Sequence, residues 1–297
     1  MTTLVTGIDG FAGKVFWDNL KSEKTKEQIV GTSRQRTDKN ILQLDLTNEH
    51  QIKEVIKTTK PTKLVLLAGL SSQRDSMGNE DHWMKVNYLS TKHFLDAIEQ
   101  NKLTTKVLMI SSAMVYCPSP KHLKETDKLC DSSPYVKAKI LQEQLKSQYK
   151  LPIVCARAFN FTGPRQRDHF VIPKIAKAFA ESKGKEVKLK MGDRTAVRDF
   201  LHVTDACAAY KILIDKGNTE VYNICSGTGN TIQEAIDILE VHTKKRAVIE
   251  NAPEFMSKNE RPTIIGDNSK LKALGWKQMI DFKETVIETY EWWRQQK

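Results

Sequence analysis

Short runs rich in β-branched residues alternate with amphipathic stretches through the first half of the chain. The runs predict strands over residues 3–6, 28–32, 41–46, 63–68, 106–111 and 152–158. Between them, apolar positions recur at helical spacing over 13–21, 49–58, 87–100 and 135–149. Regular alternation of strand and helix builds a parallel, doubly wound α/β sheet, because each crossover helix returns the chain to start the next strand in the same direction. After about Gly163 the pattern changes, predicting helices over 171–182 and 203–215, a strand over 221–225 and a last helix over 283–296. Thr231 and Glu234 have the spacing of a capping box, so a further helix opens there. Trp292 and Trp293 on the last helix are read as core packing. The division that follows is a sheet domain over 1–163, rejoined by the strand at 221–225, and a smaller α/β lobe over 164–297. The lobe is expected to close over the C-terminal ends of the strands, where such sheets take ligands.

Composition narrows the classes. The 297 residues are 39% hydrophobic with 47 basic and 36 acidic side chains, a net charge of +11. The longest apolar run, 64–70, is far short of the ~20 residues that span a bilayer, so no membrane association is expected. The opening MTTLVTGIDG lacks a basic, apolar leader, and a cytoplasmic location is expected. Five cysteines at 117, 130, 155, 207 and 225, without a Cys-x-x-Cys, predict reduced thiols, no disulfide scaffold and no cysteine zinc site. The seven histidines show no ligand spacing, so no metal is expected. The basic segments 183–190 and 242–247 lack interleaved aromatics and are read as solvated surface, not as a nucleic-acid site. The charge also suits small anionic ligands.

Chemistry begins at the first strand–helix turn. Gly7, Gly10 and Gly13, with Phe11 between, let the backbone approach a pyrophosphate at the positive end of the following helix. This gives the fold its Rossmann-type reading. The second strand ends Gly31-Thr32-Ser33-Arg34-Gln35-Arg36, with no acid before Asp38. A free 2′-hydroxyl calls for an acid there. Thr32, Ser33 and Arg34 instead suit a 2′-phosphate, which accepts hydrogen bonds and pairs with guanidinium, so NADP(H) is expected over NAD(H).

A second constellation follows the fifth strand. Ser111-Ser112 ends it, and Pro134-Tyr135-Val-Lys-Ala-Lys139 opens a helix with Tyr135 and Lys139 at i and i+4 on one face. A phenol titrating near 10 is a poor proton shuttle at neutral pH, and an ammonium one turn away stabilises its phenolate. Ser112 is positioned to bond the substrate oxygen while Tyr135 exchanges its proton.

With these motifs the chain resembles the extended short-chain dehydrogenase/reductases that act on nucleotide-diphosphate sugars. The likeness runs through Thr6–Gly13, Asp45-Leu46, Val86-Asn87-Tyr88, Arg157–Pro164, Gly192–Phe200, Arg261-Pro262 and the terminal Trp-Trp-Arg. It implies cofactor contacts at Asp45, Leu46, Ala68, Gly69, Asn87, Ser111 and Phe159 as well as at Tyr135 and Lys139. It implies substrate contacts at Ser71, Ser112, Asn160, Val171, Lys174, Arg198 and Arg261, with the two arginines on the diphosphate. The family commonly dimerises, so a homodimer is expected. Within it the chain is most similar to reductases of 4-keto-6-deoxy sugars, which implies NADPH-dependent reduction at C4. An epimerase and a non-catalytic NADP-binding regulator are the alternatives. A 4,6-dehydratase is disfavoured, because the family's Asp-Glu pair after the active-site hydroxyl is here Ala113-Met114. Cys117 stands where the family usually has Gly.

Overall fold

The computed structural model describes residues 1–22, 27–71, 76–252 and 263–296. The first half supplies β1 (Thr2–Thr6), α1 (Phe11–Ser22), β2 (Gln28–Ser33), β3 (Ile41–Gln43), α2 (Glu49–Thr59), β4 (Lys63–Leu66), α3 (Glu80–Met84), α4 (Ser90–Gln100), β5 (Lys106–Ser112), α5 (Pro134–Gln144), β6 (Ile153–Ala158) and β7 (Asn160–Thr162). The second half adds α6 (Val171–Glu181), β8 (Glu186–Met191), β9 (Val197–His202), α7 (Val203–Lys216), β10 (Val221–Ile224), β11 (Gly229–Thr231), α8 (Ile232–Thr243), β12 (Arg246–Asn251), β13 (Thr263–Ile264), α9 (Ser269–Lys272) and α10 (Phe282–Gln295).

The main sheet has seven strands in the order β10-β6-β5-β4-β1-β2-β3, all parallel. Its inner strands are apolar on both faces. Leu4, Leu64 and Val107 pack with Ile52, Ile56, Phe94 and Ile98 of α2 and α4. Their neighbours Val5, Val65 and Leu108 pack with Phe16, Trp17, Tyr210 and Leu213 of α1 and α7. Successive residues point to opposite faces, so a continuous hydrophobic run signals a strand covered on both sides. The winding reverses between β1 and β4, and the crevice beyond their C-terminal ends is where such a sheet binds ligands.

Beyond this sheet, β9 pairs with β7, β11 and β13, and β8 pairs in parallel with β12. Helices α6, α8 and α10 close a separate core around Ile175, Phe179, Ile236, Leu239 and Val286. The capping box of Thr231 and Glu234 forms in both directions.

Several expectations need correction. Cys117 and Cys130 are joined in a disulfide, and only Cys155, Cys207 and Cys225 are free, all buried. The cause is tertiary: Cys117 N–H donates to Lys128 O and Cys130 N–H to Val115 O, which sets the two Cα atoms 4.8 Å apart. The basic segment 183–190 contains β8, in which Val187, Leu189 and Met191 face inward while Glu186, Lys188 and Lys190 face solvent. The third strand stops at Gln43, because the Asp45 carboxylate turns back to accept from the Thr47 N–H and hydroxyl. The helix expected from 87 is preceded by α3 and a π-helical turn, Lys85–Leu89, that holds Asn87. Trp292 and Trp293 are half-buried and pack edge to face on each other at 4.8 Å; Trp293 packs against the core of this lobe, and the core packing expected of Trp292 is not seen. Among the described residues no helix is long and apolar enough to cross a membrane.

Candidate active site

The turn after β1 is built for close approach. Gly7 has φ 71°, and a Cβ there would sit 2.8 Å from Ala68 Cα. A Cβ on Gly13 would strike the Gly7 carbonyl oxygen, so α1 can start against the loop only with glycine at this position. Gly10 is exposed at the crest, its N–H bonded to Gly7 O at 2.9 Å. Phe11 opens α1 and stacks on Phe161 with ring centres 5.8 Å apart. The first turn of α1 carries no acidic residue, so its free N–H groups are left for an anion. The cradle fits the pyrophosphate of a dinucleotide.

The rest of the crevice follows from the strand ends. Thr32 and Ser33 are buried at the end of β2, and Arg34 is exposed. Asp45 lies beyond β3 with Leu46 next to it; hydrogen bonds from Thr47 hold its carboxyl below the usual range. After β4, Ala68 N–H donates to Thr6 Oγ1 at 3.0 Å. Asn87 clamps the next residues: its Oδ1 accepts from Leu70 N–H at 2.9 Å and its Nδ2 donates to Leu70 O at 3.2 Å. A Cβ on Gly69 would come within 2.8 Å of that Oδ1, and Ser71 beyond it is exposed.

Ser112 ends β5 and Tyr135 starts α5, whose N-cap is Ser133 with Pro134 in the first turn. Tyr135 is buried, with Trp83 edge-on to its ring at 5.8 Å. Burial pushes the phenol above its ordinary value, while a hydrogen bond from Ser112 pulls the other way. Ser112 Oγ also accepts from Met114 N–H at 3.2 Å. One turn along α5, Lys139 Nζ donates to Ile110 O at 2.7 Å and to Gln142 Oε1 at 3.1 Å. Burial pushes this ammonium down to about 8. A hydroxyl, a phenol and an ammonium thus converge at the end of β5, a set that can give a proton to a carbonyl oxygen or take one from an alcohol.

Residues 4–289 match the family model described as GDP-mannose 4,6 dehydratase. The chain belongs to that family. It is 30% identical over 281 residues to GDP-6-deoxy-D-talose 4-dehydrogenase of Aggregatibacter actinomycetemcomitans, covering 91% of this chain and 90% of the relative. It is 28% identical over 293 residues to GDP-6-deoxy-D-mannose reductase of Pseudomonas aeruginosa, covering 95% and 93%. A solved structure of RMD from Pseudomonas aeruginosa complexed with NADPH matches it with a TM-score of 0.88 at 26% identity, covering 100% of this chain and 99% of that one. The protein is an extended short-chain dehydrogenase/reductase, an oxidoreductase-type Rossmann enzyme of the sugar-nucleotide dehydratase and reductase group.

Besides Ser112 and Ser71, the expected substrate residues among those described fall on β7, α6 and β9, with Asn160 two residues beyond Ala158, the register partner of Ser112. Asn160 is exposed on β7, paired in register with Phe200. Val171 and Lys174 are half-buried on α6, and Lys174 Nζ bonds Lys190 O at 3.3 Å. Arg198 lies in β9 with Nη1 on Val197 O at 2.9 Å. Arg261 lies outside the described residues. Phe159 is buried, 6.2 Å from the Tyr116 ring. Ser111 faces backward and donates to Glu143 Oε1 at 2.5 Å.

The sequence reading missed the groups that hold Lys139. Gln142 passes its hold onward, donating to Thr91 Oγ1 at 2.8 Å. Glu143 takes Arg157 on both carboxylate oxygens at 2.7–3.2 Å, with both side chains at most 9% exposed. The signal was present in the spacing, since Lys139, Gln142 and Glu143 fall at i, i+3 and i+4 of one helix. Among the described residues no cluster of His, Cys, Asp or Glu could hold a metal ion.

Proposed function

We propose that this protein reduces the C4 carbonyl of a nucleotide-linked 4-keto-6-deoxyhexose with NADPH. The observation that carries the proposal is the turn after Ser112. Ala113 is buried and Met114 half-buried among Tyr116, Leu123 and Phe159, so neither position offers a second proton carrier. A 4,6-dehydratase must take a proton from C5 and help a hydroxyl leave C6, which needs an acid and a base beside the bond. This turn has only one proton to exchange, through Tyr135. The reactions named for the talose dehydrogenase and the mannose reductase above fit that restriction.

When bound, a reduced nicotinamide supplies the hydride that reaches C4. Ser112 Oγ–H, which faces the phenol in the free protein, turns to the ketone oxygen and polarises it. Tyr135 gives its proton to that oxygen as negative charge develops there. Lys139 lies one turn behind, and its positive charge favours the phenolate that is left. The thiols of Cys155 and Cys225 are held protonated by burial and take no part. On this reading residues 1–163, with β10, hold the cofactor, and 164–297 receive the sugar nucleotide. Arg198 and Arg261 take the diphosphate, and the protein acts as a homodimer in the cytoplasm. The absence of an acid after β2 supports NADP(H).

The test is to make GDP-, UDP- and dTDP-linked 4-keto-6-deoxy sugars with separate dehydratases and to follow NADPH absorbance. One NADPH consumed per alcohol formed, with C5 configuration unchanged, is the expected result. Epimerisation of a plain nucleotide sugar without net cofactor turnover would replace the proposal with an epimerase.

A further inference from the structure

We propose that Asp9 stands in, in the free protein, for the 2′-phosphate of the cofactor, and that its exchange with that phosphate on Arg36 and Ser33 sets the discrimination between phosphorylated and unphosphorylated dinucleotides. The inference rests on the NADP(H) reading above and goes further, because it moves the phosphate-reading group from Arg34 to Arg36 and adds a competitor that the sequence did not reveal.

The geometry is specific. Asp9 lies in the glycine loop, two residues after Gly7, yet its carboxylate reaches across to the end of β2. Arg36 Nε donates to Asp9 Oδ1 at 2.8 Å. The Ser33 side chain hydrogen-bonds the same carboxylate. Ser33 is itself buried and fixed, its Oγ accepting from Gln35 N–H at 3.0 Å and Arg36 N–H at 3.1 Å. A hydroxyl and a guanidinium at this strand end form the donor set that a ribose phosphate needs, and here they already hold an oxyanion. Among the described residues the Arg34 guanidinium has no hydrogen-bonded partner; it is exposed and acts on Asp45 only through its charge.

A dinucleotide whose pyrophosphate sits on the glycine loop directs its adenosine ribose to the end of β2. The 2′ group then arrives at Ser33 and Arg36, where Asp9 is. Two anions cannot share the site cheaply, and a phosphate with nearly two charges outcompetes one carboxylate for a guanidinium. Asp9 can leave because its side chain is already 34% exposed, so it regains water as it turns away. Part of the phosphate's binding energy is therefore consumed in displacing Asp9, and an unphosphorylated ribose, which cannot displace it, leaves the Asp9–Arg36 bridge intact.

The experiment measures binding of 2′,5′-ADP and of 5′-AMP, which differs from it only by the 2′-phosphate, by calorimetry, with no sugar substrate and no turnover. Asp9→Asn removes the competitor and keeps the shape, so the preference for 2′,5′-ADP should rise roughly three- to tenfold. Arg36→Gln should cut that preference about tenfold or more, and Arg34→Gln should cut it less. Melting profiles of the variants without nucleotide check that each is folded. A wild type that binds both nucleotides equally removes the NADP(H) reading and this inference with it. A wild type that prefers 2′,5′-ADP, with a ratio unmoved by Asp9→Asn and Arg36→Gln, overturns the inference alone. Loss of 5′-AMP binding in Asp9→Asn also overturns it, since Asp9 would then be an acceptor for the ribose hydroxyls.

Discussion

Replacing Lys139 with methionine should abolish turnover and, at the same time, change how the stability of the protein depends on pH. Lys139 is 7% exposed, and its ammonium is held by two neutral acceptors, Ile110 O and Gln142 Oε1. Burial pushes it from 10.5 down to about 8. Each pKa unit corresponds to about 1.4 kcal/mol, so carrying this charge in the folded, cofactor-free protein costs roughly 3 kcal/mol below pH 8. Methionine removes that cost but leaves the two acceptors without their donor, which costs about 1–3 kcal/mol. The opposing terms nearly cancel near neutral pH, so a single melting temperature says little, and the pH dependence carries the information.

The sign follows from proton counting. Between about pH 8 and about pH 10.5 the unfolded chain keeps the Lys139 proton and the folded chain has lost it. The unfolded state then binds more protons, and wild-type stability rises with pH relative to the variant, by about 1.4 kcal/mol per unit. Below about pH 8 both states are protonated and the two profiles run parallel. Urea unfolding of both proteins without cofactor, at constant ionic strength, should show the wild type gaining roughly 2 kcal/mol on the variant between about pH 7 and about pH 9.5. Profiles that stay parallel within about 0.5 kcal/mol across that range would refute the idea that Lys139 is charged at a cost in the free protein.

Two further outcomes are expected. Tyr135→Phe keeps the ring against Trp83 and should fold and bind NADPH while losing about 10²–10⁴-fold in single-turnover reduction; a rate near wild type would remove Tyr135 from the chemistry. The Cys117–Cys130 link closes a loop with a sequence separation of 13, so replacing both cysteines with serine should lower stability by about 3 kcal/mol. A dithiol should reproduce that loss in the wild type and not in the double variant, whereas five titratable thiols in the freshly unfolded, unreduced protein would show that the link does not form.

Local patterns made the parallel sheet and its first site readable. Strands covered on both faces are continuous apolar runs, and the glycine loop and the Ser133-Pro134 helix start are contiguous in sequence, so the relevant physics acts between near neighbours. Features that depend on tertiary register left no such trace. Cys117 meets Cys130 only because Tyr116 and Leu129 form an antiparallel bridge across a loop without periodicity. The short strands β7, β11 and β13 exist because β9 supplies a partner along its length. β8 was hidden by its outward lysines, whose charge masked the alternation of Val187, Leu189 and Met191. Chain order places Arg34 next to Ser33, but the contact that the fold makes by bending Arg36 back onto Asp9 has no trace in the sequence.

The arrangement behind α5 explains why Lys139 is not paired with the acid one turn along. α5 carries two buried charged groups of opposite sign, Lys139 and Glu143, at a spacing where they would normally pair. A lysine paired in this way would have its charge neutralised and its pKa raised, and would do little for a phenolate one turn away. Instead Arg157, on β6, takes Glu143 with bonds to both oxygens, and Ser111 supplies another donor to the same carboxylate. Arg157 is anchored in turn by the Glu125 carbonyl at 2.9 Å and by the Tyr116 ring 4.7 Å away. With the acid occupied, Lys139 hydrogen-bonds neutral acceptors only, Ile110 O and Gln142 Oε1. A buried ion pair is weak evidence for stability in general. Here the Arg157–Glu143 pair has a second consequence: it keeps a carboxylate from hydrogen-bonding the α5 ammonium that the proposed proton transfer would use.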